Sequence, residues 1–290
     1  MKYVHFFVLT TGIWFIACKK SGVETNKPEL RGVNFDLLLK TIDKYPDGES
    51  ITNYTYNLNK QLIQEDFTRD FTDGTKWKVT NNWYRNPQGG LDSMKSEYMY
   101  GTGATGLQKQ YYHYDAAKRI LYSIQFRNIN DPYASIDSSI YIYSGTTIIK
   151  KLDYTSAKST ILNNTLTHEM YYQYDTLNNI RSITFVNYDF SRGAPARQDT
   201  VILAYAYDDK KNPYSQNDAF YQYFANLAFS DYVSKNNIVK ILYSGASTSN
   251  DKDEFSFQYN VANKPDRVLV TSFGLGSTQP FIWTTDYYYN

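Results

Sequence analysis

Cysteine occurs once in the 290 residues, so no disulfide can form within one chain, and stability has to come from packing and backbone hydrogen bonds. Histidine is nearly as scarce, and its three copies include no His-x-x-x-His or His-Glu-x-x-His pair, which removes the usual helical zinc sites. His113 and His168 alternate with polar or aromatic neighbours as strand residues do, and His168-Glu169 has no second histidine nearby to complete a metal site. No Gly-x-Ser-x-Gly elbow is present to expose a serine nucleophile. Gly101-x-Gly103-x-x-Gly106 has dinucleotide spacing, yet Leu107-Gln108-Lys109-Gln110-Tyr111 after it reads as a strand where that motif needs a helix. Charge of one sign is also missing. Thirty basic residues face 29 acidic ones, so the chain lacks the basic footprint by which nucleic-acid binders displace counterions.

The lone cysteine is the first positive signal. Cys18 follows Ala17 and an apolar run from Tyr3, with Lys2 ahead of it, which is the layout of a bacterial lipoprotein signal. The run is shorter than the roughly 20 apolar residues that a spanning helix needs, and it carries His5, Thr10 and Thr11. Cleavage before Cys18 would free a thiol and an amine for acylation, and the several acyl chains would hold the protein stably on a membrane. The expected organisation is a signal peptide over 1–17, a lipidated N-terminus and tether over 18–34, and one domain over 35–290. The expected address is the outer membrane, on either its periplasmic or its surface face, since Lys19 offers no retention signal for the inner membrane. With Lys2 lost, the mature chain is formally neutral.

Tyrosine dominates the rest, at 30 residues, beside many Thr, Ile, Val and Phe and only eight prolines, a composition suited to pleated, half-buried strands. Tyr-x-Tyr followed by Asp or Asn recurs at Tyr54-Thr55-Tyr56-Asn57, Tyr112-His113-Tyr114-Asp115, Tyr172-Gln173-Tyr174-Asp175 and Tyr205-Ala206-Tyr207-Asp208. A variant stands at Phe257-Gln258-Tyr259-Asn260, and Tyr287-Tyr288-Tyr289-Asn290 closes the chain. Period-two tyrosines, an Asx turn and a return strand make a hairpin. The turn at Tyr45-Pro46-Asp47-Gly48 and the Ser144-Gly145-Thr146 link add further hairpins between these copies. About a dozen strands or slightly more follow by these criteria, joined locally and therefore antiparallel. The fold expected is mainly β, an antiparallel meander forming a barrel-like or strongly curved sheet. One helical segment near 216–232 is expected from Phe220, Tyr223, Phe224, Leu227 and Ala228, which share a helical stripe.

The Tyr-x-Tyr-Asp hairpins, the Asp-Asp-Lys-Lys-Asn-Pro-Tyr loop at 208–214, the helical segment after it and Ser234-Lys235-Asn236-Asn237 together resemble a family of Bacteroidetes lipoproteins with a porin-like β fold and no assigned activity. Cys18-Lys19-Lys20 is similar to lipoprotein starts of that phylum. The resemblance spans the mature chain. It implies a fold and an envelope location and brings no catalytic residues with it.

Carboxylates were weighed as a glycosidase pair. Asp115, Asp175 and Asp208 each follow a Tyr-x-Tyr and read as turn initiators, while Asp251-Lys252-Asp253-Glu254 reads as a solvated hairpin tip without the ligand spacing of a calcium loop. No metal ligands, cofactor or catalytic residues are assigned. The first functional expectation is a non-catalytic binding or structural module, with Trp77, Trp83 and Trp283 as ligand-binding candidates able to stack on the sugar rings of a glycan. The alternative is a barrel-like carrier whose tyrosine-lined interior takes an apolar or lipid-like ligand. A secreted hydrolase stands third. Candidate outer faces bearing Lys150, Lys151, Lys240, Arg181 and Gln173 argue for a lipid-anchored domain over a membrane-spanning barrel.

Overall fold

A computed structural model of the chain describes residues 37–101, 103–127, 135–157, 165–189, 196–216, 234–245, 251–274 and 279–289. Cys18, the signal and tether, and the expected helix beyond Gln216 lie outside these residues. The first half of the chain supplies β1 (Leu38–Tyr45), β2 (Gly48–Tyr56), β3 (Leu62–Phe71), β4 (Lys76–Arg85), β5 (Leu91–Tyr100), β6 (Ala104–Tyr114), β7 (Ile120–Arg127) and β8 (Ser135–Ser144). The second supplies β9 (Thr147–Ala157), β10 (Thr165–Tyr174), β11 (Ile180–Asp189), β12 (Ala196–Lys211), β13 (Asn236–Gly245), β14 (Lys252–Tyr259), β15 (Pro265–Phe273) and β16 (Phe281–Tyr289). A 3-10 turn, Pro213–Gln216, follows β12.

Every strand pairs antiparallel with its chain neighbours, and β16 returns to β1 through Thr41↔Tyr287 and Asp43↔Thr285, so the sixteen strands form one closed barrel. Closure leaves no strand edge exposed, which a tyrosine- and isoleucine-rich sheet needs if it is not to pair with other chains.

One turn chemistry builds most of the hairpins at one end. Asn57 Oδ1 accepts the backbone N–H groups of Asn59 and Gln61, Asn86 those of Gln88 and Gly90, Asp175 those of Leu177 and Asn179, and Asn260 those of Ala262 and Lys264. The Asp115 turn has the same frame. The fourth residue of each turn adopts positive φ at Lys60, Gly89, Lys118, Asn178 and Asn263. A register shift then precedes Tyr56, Arg85, Tyr114, Tyr174 and Tyr259. This is a type I turn closed by a bulge, a standard three-residue hairpin connection. Asp208 is different: β12 runs on to Lys211, and the Asp208 carboxylate receives the Lys210 N–H and the Asn237 and Tyr259 side chains rather than starting a hairpin.

The second tyrosine has the same task in five of the repeats. Tyr56 donates its hydroxyl to the Leu38 carbonyl, Tyr114 to Leu91, Tyr143 to Ile120, Tyr174 to Ile148 and Tyr207 to Ile180, each time the start of the strand before it. Arg85 completes the series by donating to the Leu62 carbonyl. Donors at 56, 85, 114 and 143 are equally spaced, so Trp83-Tyr84-Arg85-Asn86 is a disguised copy of the motif. The first residues of the repeats, Tyr54, Trp83, Tyr112, Tyr141 and Tyr172, are buried on the inner wall. They pack with Leu62, Leu91, Met94, Met170, Ile180 and Ile183 in a single apolar core at the turn end.

Further along the inner wall the lining becomes polar: Thr41, Asp43, Ser50, Thr52, Glu65, Arg69, Asn81 and Ser96 are all buried. Register assigns the two faces. Ser50 pairs with Asp43 and Arg69, and Tyr54 with Glu65, on the inside, while Lys44, Asp66 and Lys78 alternate outward. Lys150 and Gln173 face out as expected, but Lys151 does not. It pairs with Tyr141 and Met170 on the inner face and binds Asp153 at 2.8 Å, because adjacent strand residues must point to opposite sides. The outer wall carries ion-pair groups such as Lys44–Asp286–Arg267 and Lys240–Glu254–Lys252.

Candidate functional site

The barrel has one weak seam. β13 and β14 pair only from Lys240↔Glu254 to Leu242↔Lys252, so the start of β13 and the end of β14 are not joined by strand hydrogen bonds. Polar side chains bridge that gap. Asn237 donates to Asp208 and to the Tyr259 hydroxyl, and Tyr259 donates to Asp208. Asn179 Oδ1 accepts the N–H groups of Lys235 and Asn236, Asn212 holds the Ser234 carbonyl at 3.0 Å, and Ser234 meets the Tyr207 hydroxyl at 2.8 Å. The 208–214 loop and the Ser234-Lys235-Asn236-Asn237 segment, remote in sequence, are thus one structural unit.

That unit directs Tyr214 inward. Asn212 Oδ1 accepts the Tyr214 N–H at 3.0 Å, and the Tyr214 ring, 7% exposed, lies 6.3 Å from that of Tyr287. Between Tyr214 and the inner faces of β14, β15, β16 and β1 is a cavity of about 70 Å³. Phe255 and Phe257 of β14, Val268 and Val270 of β15, and Trp283 and Tyr287 of β16 supply an apolar wall.

Asp43 of β1 is the acidic residue of this cavity. It is fully buried; one carboxyl oxygen accepts the Thr285 hydroxyl, and Oδ2 has no hydrogen-bond partner among the described residues. Burial pushes its carboxyl well above the usual carboxylate range, against the pull of Thr285 and the Arg69 guanidinium and with a further push from Asp286. Arg69 Nη2 binds Asp47 at 2.7 Å, and its guanidinium lies over the rings of Tyr45 and Phe71 at 4.3 and 4.5 Å. Asp286 is engaged outward by Lys44 and Arg267.

Elsewhere the titratable groups serve the wall. Glu65 is raised by burial to about 7 and accepts from Asn81 at 3.3 Å. Asp253 is not at a solvated tip but buried on the inner face of β14, where burial raises its carboxyl and Tyr243 donates to it at 2.6 Å. His113 stacks on Tyr122 at 4.2 Å and His168 lies 5.0 Å from Phe185, with burial lowering the His168 imidazole. Among the described residues, no three His, Cys, Asp or Glu side chains are grouped to hold a metal ion, and no helix is long and apolar enough to cross a membrane.

The three tryptophans are not brought together. Trp77 and Trp83 lie on the inner face of β4, Trp77 half-buried with its edge toward Phe67 at 4.8 Å and Trp83 4% exposed. Trp283, on β16, touches Tyr45 and Phe281 and alone of the three lines the cavity. Asp43, Tyr214 and Phe255 were not foreseen. The available signal was parity: Thr41, Asp43 and Tyr45 alternate in one strand, which puts a carboxylate on the same face as its buried neighbours.

The sixteen strands define the class: a closed antiparallel barrel. The solved structures it is similar to include a porin-like protein from Bacteroides uniformis, with a TM-score of 0.53 at 9% identity, covering 87% of this chain and 96% of that one. Another is a porin-like protein from Bacteroides vulgatus, with a TM-score of 0.42 at 14% identity, covering 88% and 99%. No protein-family model and no curated protein matches the chain.

Proposed function

We propose that this protein is a lipid-anchored barrel of the cell envelope that holds a small ligand inside its wall, without conducting solutes and without catalysing a reaction. The observation that carries this reading is the aromatic cavity walled by β14–β16, Tyr214 and β1, beside the apolar core of the turn end. Porin lumens are polar and water-filled, whereas the turn-end half of this barrel is lined by Leu, Ile, Met and Tyr side chains shielded from solvent. A stacking platform for glycans would need aromatics that face solvent, and Trp83 and Trp283 face inward. Of the expectations raised by the sequence, the internal carrier is therefore the one favoured.

The anchor is proposed from the Cys18 signal, and the outward charges support a domain that stands outside the bilayer. Lys44, Asp66, Lys78 and Lys95 face outward on β1, β3, β4 and β5, and lysine at the membrane midplane costs about 2–4 kcal/mol. The porin-like likeness concerns the fold alone.

Ligand holding is tested by ligand-observed NMR with 3,3-dimethylbutan-1-ol, a compact apolar alcohol, on the mature chain and on Val270→Phe, which fills the cavity. Binding to the mature chain that is lost in a folded Val270→Phe supports the reading. Absence of binding to the mature chain removes it. The anchor is tested by globomycin treatment of expressing cells: accumulation of precursor and labelling by a palmitate analogue support it, and an unchanged band without label rejects it.

A further inference from the structure

We propose that the cavity is a cation site, and that its ligand class is a small alkylammonium, primary or methylated, whose charge is met by Asp43 and whose alkyl surface is met by the surrounding rings. This rests on the reading of the barrel as an internal carrier and specifies what it carries.

Three observations converge. First, Asp43 lines the cavity, is fully buried and has one carboxyl oxygen without a hydrogen-bond partner among the described residues, and burying such a group unpaired is costly. The two cationic side chains nearest by position are already committed, Arg69 to Asp47 and the Tyr45 and Phe71 faces, and Lys44 to Asp286 on the outer wall. An ammonium ligand would supply the partner that the described residues do not. Second, Tyr214, Phe255, Phe257, Trp283 and Tyr287 surround the same space, and several aromatic faces about a buried carboxylate are what recognises an ammonium, through the ring quadrupoles and a short-range ion pair. Third, size selects among ligands. The cavity measures about 70 Å³ and is open on one side, so it seats the head of a small ligand whose remainder projects outward and does not enclose a sugar ring.

A neutral ligand would leave Asp43 as it stands in the empty site. A cation converts it to an ion pair with both charges desolvated together, which is the only arrangement in which an ionised carboxylate is tolerated there.

The test uses choline and its uncharged carbon isostere, 3,3-dimethylbutan-1-ol, titrated by NMR into the mature full chain, into Asp43→Asn and into Phe257→Leu. Asparagine reproduces the shape of a protonated Asp43, so the fold should persist, and unchanged near-UV circular dichroism confirms it. The expected result is a preference for choline over the isostere on the order of tenfold, collapsing to near unity in Asp43→Asn while the isostere binds that variant unchanged. Phe257→Leu keeps the apolar wall and should weaken choline several-fold more than the isostere. Equal binding of the two probes by the wild type, or an unchanged preference in Asp43→Asn, overturns the cation assignment and leaves the internal carrier standing. Failure of both probes to bind removes the carrier reading as well.

Discussion

Replacing Glu65 by glutamine should remove a specific part of the pH dependence of folding. Glu65 stands on the inner face of β3 between Tyr54 of β2 and Asn81 of β4, 9% exposed, with Asn81 donating to one oxygen and the other without a partner among the described residues. Burial is the largest influence and raises its carboxyl from 4.5 to about 7, Asn81 opposes it, and neighbouring Asp66 adds a smaller push. The folded chain therefore retains a proton that the unfolded chain releases from 4.5 upward. This contribution to stability is complete below that value and is lost as pH rises through about 7. At ~1.4 kcal/mol per unit, the span between pH 5 and pH 8 amounts to roughly 2.5 kcal/mol. Urea unfolding of wild type and Glu65→Gln at both pH values isolates the term, because Asp43, Asp253 and the other groups are common to both proteins and cancel in the difference. The wild type should lose about 2.5 kcal/mol more than Glu65→Gln on going to pH 8. Equal losses in the two proteins would refute the argument and place Glu65 in contact with water.

Four further substitutions probe the hairpin device and the close approaches it depends on. Tyr114→Phe should cost about 1 kcal/mol by leaving the Leu91 carbonyl without its donor, read as a lower urea midpoint with an unchanged m-value. Asp115→Ala should cost about 1–2 kcal/mol through the lost turn acceptor for Arg119, whereas Lys118→Gly, at φ 61°, should be neutral or stabilising by up to about 1 kcal/mol; thermal melts order the pair. Gly48→Ala should be severely destabilising, because φ is 151° and a Cβ there would lie 2.2 Å from the Asp70 carbonyl oxygen, and the soluble yield of the variant reports it.

The repeat was legible where it was spelled in tyrosine and aspartate. Asn57, Asp115, Asp175 and Asn260 start turns as their type and position indicate, and the two alternating aromatic residues before each turn face inward. The strand number was underestimated, about a dozen against sixteen, because β3, β4 and β5 are rich in charged and amide residues. Their outer faces are solvated, their inner wall is itself polar at Glu65, Arg69, Asn81 and Ser96, and no apolar stripe remains to mark them. Arg85 was missed for a related reason: a guanidinium performs the hydroxyl's task, so the motif survives in geometry and vanishes in spelling. The site was hidden more deeply. It is assembled from β1, the 208–214 loop and β14–β16, whose proximity follows from barrel closure and from the side-chain network at the β13–β14 seam. Neither is a local property of the chain.

The central claim, a closed barrel with an aromatic cavity in its inner wall, is tested most directly by diffraction from crystals of the mature chain under xenon pressure. Xenon settles against apolar walls such as this one without regard to the natural ligand. The account predicts an anomalous peak among Phe255, Val270 and Trp283, lost in Val270→Phe crystals. A barrel with no peak there, or with ordered water filling its turn-end half around Leu62, Leu91 and Ile180, would contradict it.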